Sequence, residues 1–313
     1  MKNSLSVIIA TYNRSQSLAK TLESFLLQNI DDTFDYELIV VDNNSKDGTK
    51  EAVASFESRF KGKLRYLFEP ISGKSHALNK GIKEAGGDIL VFTDDDVQLD
   101  FCWLESLFDC FKKQSCDGVG GRVLPVYPNG TPRWVRESPH QAAGAVVIYD
   151  YGEESREFSR STMDLFIGAN YAFKRKVFDE CGSFRTDLSF GRIALGEDIE
   201  FINRLLKKNK VLYYCGKALV WHPVDLRRLN LGHVARWNVA LGRFAAREEK
   251  EEGRVSAFWF GIPKYLFRGV LIDGILLLPN IFSKKNFYHF WRSLFRKLGM
   301  ISEYRRLQND RVS

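Results

Sequence analysis

The stretch "LVFTDDDVQLD", residues 90–100, is an apolar run that stops abruptly at Asp94, Asp95 and Asp96. An unbroken apolar run of this length, bounded by a polar turn, marks a strand covered on both faces, as in a parallel sheet. The three carboxylates at its end repel one another: two unit charges about 4 Å apart cost roughly 1 kcal/mol in water and several-fold more near a protein surface. Either bulk solvent or something positive must offset that. In extended chain the side chains alternate between faces, so Asp94 and Asp96 are expected to point one way and Asp95 the other. A D-x-D pair suits one hard divalent cation, Mg²⁺ or Mn²⁺, which takes oxygen ligands and keeps places for substrate phosphates. The plain alternative is a solvated loop.

Upstream, LSVIIATYNR opens with a buried strand, Leu5–Ala10, and SLAKTLESFLLQ places Leu18, Leu22, Phe25 and Leu26 at helical spacing. ELIVVDNNSKDGT supplies a second strand, Glu37–Val41. LRYLFEP then reads as a strand, SHALNKGIKEAG as a helix closed by glycine, and DILVFTDDD as the next strand. This alternation predicts an α/β fold with a doubly wound, mostly parallel sheet. In such sheets ligands sit beyond the carboxyl ends of the strands. Thr11–Arg14, Asp42–Asn44 and Asp94–Asp96 all follow strand ends and are expected to line one cleft.

Downstream, 125–139 reads as an irregular connection, and AGAVVIYD, FIGANYAFKRKVF and VLYYCGKALVWHPV supply further strands and a helix. Residues 226–252 are predicted helical, with Leu226, Leu229, Val234, Trp237, Leu241 and Phe244 on one side. The most apolar segment, 255–282, is interrupted by Lys264, Arg268 and Asp273, and its uncharged runs fall far short of the ~20 residues a spanning helix needs. Its aromatics, leucines and flanking cations suit a segment lying in a membrane headgroup layer; the other reading is packing on the protein's own core.

With 313 residues, 44% of them hydrophobic, the chain can bury a sizeable core, which excludes disorder as its main state. The net charge of +7 sits largely in the tail, where Lys284, Lys285, Arg292, Arg296, Lys297, Arg305, Arg306 and Arg311 face only Glu303 and Asp310. A basic tail beside an apolar aromatic segment points to an anionic membrane surface and away from nucleic acid. Five cysteines without CxxC spacing argue against a disulfide framework or a zinc site and fit a reducing compartment. The opening MKNSLSVIIATYNR shows no signal peptide, so the expected location is cytoplasmic, peripheral on the inner face of the cell membrane.

VIIATYNR, VVDNNSKDGT, GKSHALNKGIKEAGGDILVFTDDDV, IGANYAFKRKVFDECGSF and GEDIEFINRL follow one another over residues 5–225. That ordered set resembles a family 2 glycosyltransferase with the GT-A fold. The resemblance implies a catalytic domain over 1–225, with a nucleotide-sugar half (1–98) and an acceptor half (99–225), followed by a helical membrane-associating region over 226–313. It implies inverting transfer from a nucleoside diphosphate sugar, with a UDP-sugar the expected donor, to a saccharide or lipid-linked saccharide hydroxyl in cell-surface glycan synthesis.

The resemblance also distributes roles. Thr11, Tyr12, Arg14 and Asp42 stand where the family holds the nucleotide, and Asp42 could accept a hydrogen bond from a base N–H. Asp94 and Asp95 join the donor site, and Asp94 with Asp96 would hold the cation on the diphosphate. Where the family often has Ala-Arg-Asn this chain has Ala77-Leu78-Asn79, and Lys74 is the expected substitute cation. The string GKS there is no Walker A loop, because the glycine required five residues before Gly73 is Phe68. His222 is the expected third metal ligand. Asp198 is expected to act as general base and Glu197 as its orienter, although acids in a first helical turn are also favoured by the dipole alone. Arg236 and Trp237, in HVARW, resemble the Gln-x-x-Arg-Trp motif of processive members, and suggest a diphosphate partner and a sugar-stacking residue. His233 departs from that motif, so non-processive transfer is expected. Gly168 and Asn170 are expected on the acceptor side, where glycine permits close backbone approach. The rival readings are a sugar nucleotidyltransferase and a non-catalytic, membrane-associated saccharide-binding protein.

Overall fold

The computed structural model describes residues 4–30, 33–142, 144–188, 196–253, 255 and 257–309. Asp310 and Arg311 of the basic tail, Ala143 and Ser256 lie outside them. In chain order the strands are β1 (Ser4–Thr11), β2 (Asp35–Asp42), β3 (Leu64–Phe68), β4 (Ile89–Thr93), β5 (Gln98–Leu99), β6 (Gly118–Val126), β7 (Arg156–Glu157), β8 (Asn170–Lys174), β9 (Leu212–Pro223), β10 (Phe258–Trp259) and β11 (Ile262–Pro263). The helices are α1 (Ser15–Leu26), α2 (Thr49–Ala54), α3 (Lys74–Glu84), α4 (Trp103–Lys113), α5 (Arg133–Glu137), α6 (Arg175–Cys181), α7 (Glu197–Lys207), α8 (Leu231–Glu251), α9 (Lys264–Leu277) and α10 (Lys284–Asn309). They form two compact units, one of Met1–Val126, Ile148–Phe190 and Glu197–Pro223, the other of Tyr127–Val147, Gly191–Gly196 and Val224–Ser313.

The first unit is a mixed α/β structure on a nine-stranded sheet of order β3-β2-β1-β4-β8-β6-β9-β5, with β7 against β9. β3, β2, β1 and β4 run parallel, as do β6 and β9, while β8 runs antiparallel to both β4 and β6. The apolar cores of β1, β2 and β4 are buried throughout, which is what two covered faces require. Between α3 and β4 the chain passes so close to β1 that a Cβ on Gly87 would lie 2.6 Å from the Ser6 backbone nitrogen, so only glycine fits. An aromatic cluster of Phe92, Tyr171, Phe173, Phe178, Phe184 and Phe201 covers the centre of the sheet. Phe201 stacks on Phe178 of α6 at 5.1 Å and 11° and meets Phe173 of β8 edge-on, which holds α7 to α6 and to the sheet.

Two expectations need correcting. AGAVVIYD forms no strand among its described residues, only isolated bridge positions at Val146 and Tyr149, the latter paired with Val123. Val146 instead packs with Val135, Ala142 and Val224, and Gly144 turns the chain at φ +92°. The connection over 125–139 is not wholly irregular, since β6 runs on to Val126 and α5 follows.

In the second unit, residues 226–252 divide into a short 3₁₀ turn, Leu226–Leu229, and α8. Asn230 adopts an extended conformation between them and caps α8 by accepting the His233 N–H at 2.8 Å. α8 and α10 meet face to face through two glycines. A Cβ on Gly242 would lie 1.9 Å from the Arg296 carbonyl oxygen, and one on Gly299 would lie 2.2 Å from that of Val239. Ile262 and Leu266 pack with Ala246, Met300 and Tyr304 to form the local core. The rest of 255–282 is largely outward: Phe258, Trp259, Phe260, Tyr265, Leu271, Ile272, Ile275, Leu278, Ile281 and Phe282 are all exposed. No described helix is long and apolar enough to cross a membrane. All five cysteines are free thiols, four of them buried.

Candidate active site

β4 delivers the acids. Its last residue, Thr93, donates its hydroxyl to the Ala169 carbonyl at 2.8 Å, which ties the strand end to the turn before β8. Beyond it the chain does not stay extended, for Asp95 and Asp96 lie in a turn. The turn brings Asp94 and Asp96 together with His222, but it does not set Asp95 apart from Asp96, since both accept the same Arg14 nitrogen. Asp95 is 5% exposed and accepts Thr11 Oγ1 at 2.7 Å and Arg14 Nη1 at 2.9 Å. Burial pushes its carboxyl up to about 6, against the pull of Arg14. Asp94 accepts Lys74 Nζ at 2.7 Å, and Asp96 accepts the same Arg14 nitrogen at 2.6 Å. Two cations thus offset the repulsion among the three carboxylates. Burial alone would raise Asp94, but Lys74, His222 and Arg14 hold it below the usual carboxylate range.

β9 brings His222 to the pair. The two-residue strand β5, just after the acids, pairs Gln98 with Trp221, which sets the next side chain beside Asp96. His222 Nε2 lies 3.5 Å from Asp96 Oδ1. Its Nδ1 lies 3.0 Å from the Pro223 carbonyl oxygen. That contact makes Nδ1 the donor and leaves the Nε2 lone pair for a cation. Ligand atoms of Asp94, Asp96 and His222 all lie within 4.8 Å of one another. Two carboxylate oxygens and one imidazole nitrogen form a donor set that fits a single Mn²⁺ or Mg²⁺ with open positions.

The second acidic pair heads α7. Asp198 accepts the Gly168 N–H on Oδ2 at 3.2 Å and the Ile199 N–H on Oδ1 at 2.8 Å. A Cβ on Gly168 would sit 3.4 Å from that Oδ2 and 3.5 Å from Lys74 Nζ, so the missing side chain leaves the space where carboxylate and ammonium converge. Burial disfavours charge on Lys74, yet Asp94, Glu197 and Asp198 around it hold its ammonium well above the usual lysine range. Burial, joined by the neighbouring Asp198, pushes Glu197 up to about 7. Burial likewise raises Asp198, opposed by Lys74 and by the two N–H donors.

At the β2 end, Asp42 accepts Tyr66 Oη on Oδ2 at 2.7 Å and the Ser45 N–H on Oδ1 at 2.8 Å. Each oxygen keeps a further acceptor position. Tyr12, just after β1, is exposed, whereas Thr11, which pairs with Asp42 in the β1–β2 ladder, is buried. One contributor escaped the reading of the sequence, and another, Asn43, was placed at the cleft without a role. Tyr66 fixes Asp42 from β3, and Asn43 bonds the Gly73 N–H and the Ile71 carbonyl, shaping the loop that presents Lys74. The paired asparagines of VVDNNSKDGT were the available signal for the second.

Asn170 is a correction. It is fully buried, its carbonyl accepts Trp103 Nε1, and its amide donates to the Arg122 and Ala218 carbonyls. It is a tie between strands, with nothing left for an acceptor sugar. Arg236 and Trp237 lie on α8 in the second unit, where Arg236 is exposed and Trp237 packs over Gly144 and stacks on His233 at 6.2 Å.

A mostly parallel sheet whose β4 ends in one acidic pair, with a second pair at the head of α7 and one lysine between them, is the arrangement of a GT-A fold. The family model described as Glycosyl transferase family 2 matches residues 6–182, and the chain belongs to that family of enzymes. It is 36% identical over 126 residues to Glycosyltransferase AglE of Haloferax volcanii, covering 40% of this chain and 41% of that protein. It is 26% identical over 247 residues to the succinoglycan biosynthesis protein ExoM of Rhizobium meliloti, covering 78% and 75%. Among solved structures, the mannosyltransferase PcManGT from Pyrobaculum calidifontis, in complex with GDP-Man and Mn²⁺, shares the fold at a TM-score of 0.55 and 19% identity, over 99% of this chain and 75% of that one. S. aureus TarS 1–349 in complex with UDP does so at 0.56 and 15%, over 97% and 92%.

Proposed function

We propose that this glycosyltransferase moves a sugar from a nucleoside diphosphate sugar to a hydroxyl acceptor by direct displacement with inversion. One observation carries the reading: Lys74 stands between Asp94 of the D-x-D pair and Asp198 at the head of α7, so donor-side and acceptor-side acids face a common space. Asp198 takes the proton of the acceptor hydroxyl as that oxygen attacks the anomeric carbon. Burial raises its carboxyl above the usual aspartate value, which makes it a stronger base for this task. Glu197 beside it orients the acceptor, and Gly168, lacking a side chain, keeps the space beside Asp198 and Lys74 clear. As the bond to the diphosphate breaks, Lys74 and Arg14 lie on the side where negative charge grows. Asp94, Asp96 and His222 would hold the divalent cation, whose chemistry is neutralisation of the departing diphosphate.

Asp42, steadied by Tyr66, reads the base, and a UDP-sugar is the proposed donor; Tyr12 offers an exposed ring near it. Arg236 and Trp237 are kept as proposed diphosphate and acceptor contacts of the second unit. The catalytic domain is proposed to span 1–225 and the membrane-associating region 226–313. The names of ExoM and of the minor teichoic acid biosynthesis protein GgaA of Bacillus subtilis, 25% identical over 275 residues, support an acceptor in cell-surface glycan synthesis. The exposed apolar side chains of 258–282 and the basic α10 support peripheral attachment to the inner face of the membrane.

The test is a thermal-shift panel of nucleoside diphosphates with Mn²⁺, comparing the unchanged protein with Asp96→Ala. The unchanged protein should be stabilised only when cation and nucleotide are both present. Equal shifts in the variant would remove Asp96 from the metal site.

A further inference from the structure

The second unit contains a groove of about 290 Å³ that the reaction does not use. Its walls are Trp134, Leu231, Ile281, Phe287 and Tyr288, and Lys284 stands on its lining as the one charged group. The walls are held from behind. Trp134 and Tyr288 pack ring against ring at 4.7 Å, Tyr288 donates its hydroxyl to the Leu229 carbonyl, and Trp291 donates to that of Leu231 at 3.1 Å. This volume lies near the lower end of sites that take small apolar ligands.

Two observations say what fills it. The groove runs into the exposed apolar face, since Ile281 belongs to both and Phe282, next in sequence, is 98% exposed. Of the exposed large apolar side chains among the described residues, ten lie between 258 and 282 and eight in all the rest, so apolar exposure concentrates at this mouth. The charge is also one-sided. Lys284 and Lys285 are exposed at the start of α10, and its first turn holds no acid. An occupant with a hydrocarbon chain and an anionic head complements both features.

We infer that this groove is a binding site for one chain of a phosphate-bearing membrane lipid, with Lys284 and Lys285 facing the headgroup. The inference rests on the membrane attachment proposed above and narrows it from a general surface to one pocket. Trp134, Phe287 and Tyr288 flank the chain, and Leu231 closes the inner side. The lysines supply attraction to the headgroup layer worth about five-fold in partition per charge.

The experiment uses the full chain and vesicles of equal parts phosphatidylcholine and phosphatidylglycerol, the latter carrying a diazirine in its acyl chain. Labelled residues are mapped by peptide mass spectrometry after irradiation, and co-sedimentation is measured on the same samples. Labels are expected on Trp134, Phe287 or Tyr288 as well as on 271–282. Leu231→Trp, which fills the groove, should cut the labelling of those three residues several-fold while co-sedimentation is kept. Replacing Lys284 and Lys285 by Gln should weaken co-sedimentation about 25-fold. Labels confined to 258–282, with normal co-sedimentation, would overturn the groove site and leave membrane attachment standing. Failure to co-sediment at all would overturn both. A concentration-dependent dimer that shields the groove from label would assign it to a second copy of the chain and overturn the lipid.

Discussion

Lys74 makes one short ion pair, with Asp94, while Glu197 and Asp198 add to the field that keeps it charged. An ammonium so placed steadies the acids without engaging the Asp198 oxygens in a direct bond, and these remain available to a hydroxyl. Asp198→Asn keeps the shape and one of the two N–H contacts, since its NH₂ cannot accept the other, and it removes the proton acceptor. Steady-state assays should show kcat reduced about 10²–10⁴-fold, with nucleotide affinity by calorimetry little changed. Glu197 gives a second prediction. In the metal-free fold its carboxyl is pushed from 4.5 up to about 7, so the folded state holds that proton more tightly than the unfolded chain. Stability is therefore greatest below the unfolded value and declines as pH rises from about 4.5 to about 7, by on the order of 3 kcal/mol. Urea titrations of Glu197→Gln in chelator should lose most of that slope and unfold later at pH 8. At this scale Asp94 and Asp96 were legible because three acids after a buried run form a local signal. Asp95 and Asn170 were not, because their roles depend on Thr11, 84 positions away, and Trp103, 67 positions away.

β5 is two residues long, yet it sets His222 beside Asp96, and nothing in the apolar pattern of QL marks it as a strand. Elements of that length are decided by tertiary pairing and carry no period to read. The long apolar runs of β1, β2, β4 and β9 are a signal in themselves, and the structure has strands at all four where the sequence indicated. AGAVVIYD is as apolar as those runs, but its Val146 packs against Val135 of α5, Ala142 and Val224 instead of extending a ladder. For α8 the helical period was plain and the contact surface was not: Val234, Ala235, Asn238 and Gly242 are buried, whereas Trp237 and Leu241 are only partly so. Gly242 and Gly299 explain the difference, since they let α8 and α10 approach backbone to backbone. Gly299→Ala should force the helices apart and cost about 1–3 kcal/mol in chemical denaturation. Gly274→Ala, on α9 with nothing within 4 Å of its Cβ, should instead gain up to about 1 kcal/mol from helix propensity.

Across the whole molecule, a formal charge of +7 accompanies an apolar face made by one short hairpin, α9 and the turn that follows it. The two forces respond differently to salt. Attraction of the basic side chains to anionic lipid decays over a Debye length, about 10 Å at 0.1 M and 3 Å at 1 M, while burial of apolar surface does not. Sedimentation with phosphatidylglycerol vesicles should therefore fall steeply as salt is raised toward 1 M, leaving a plateau equal to that on neutral phosphatidylcholine. The same face bears on handling the purified polypeptide. In plain aqueous buffer, Leu271, Ile275, Leu278 and Phe282 can shed water only by meeting their counterparts on other copies. Concentrated stocks will clump, specific activity will climb on dilution, and a mild detergent will abolish that dependence.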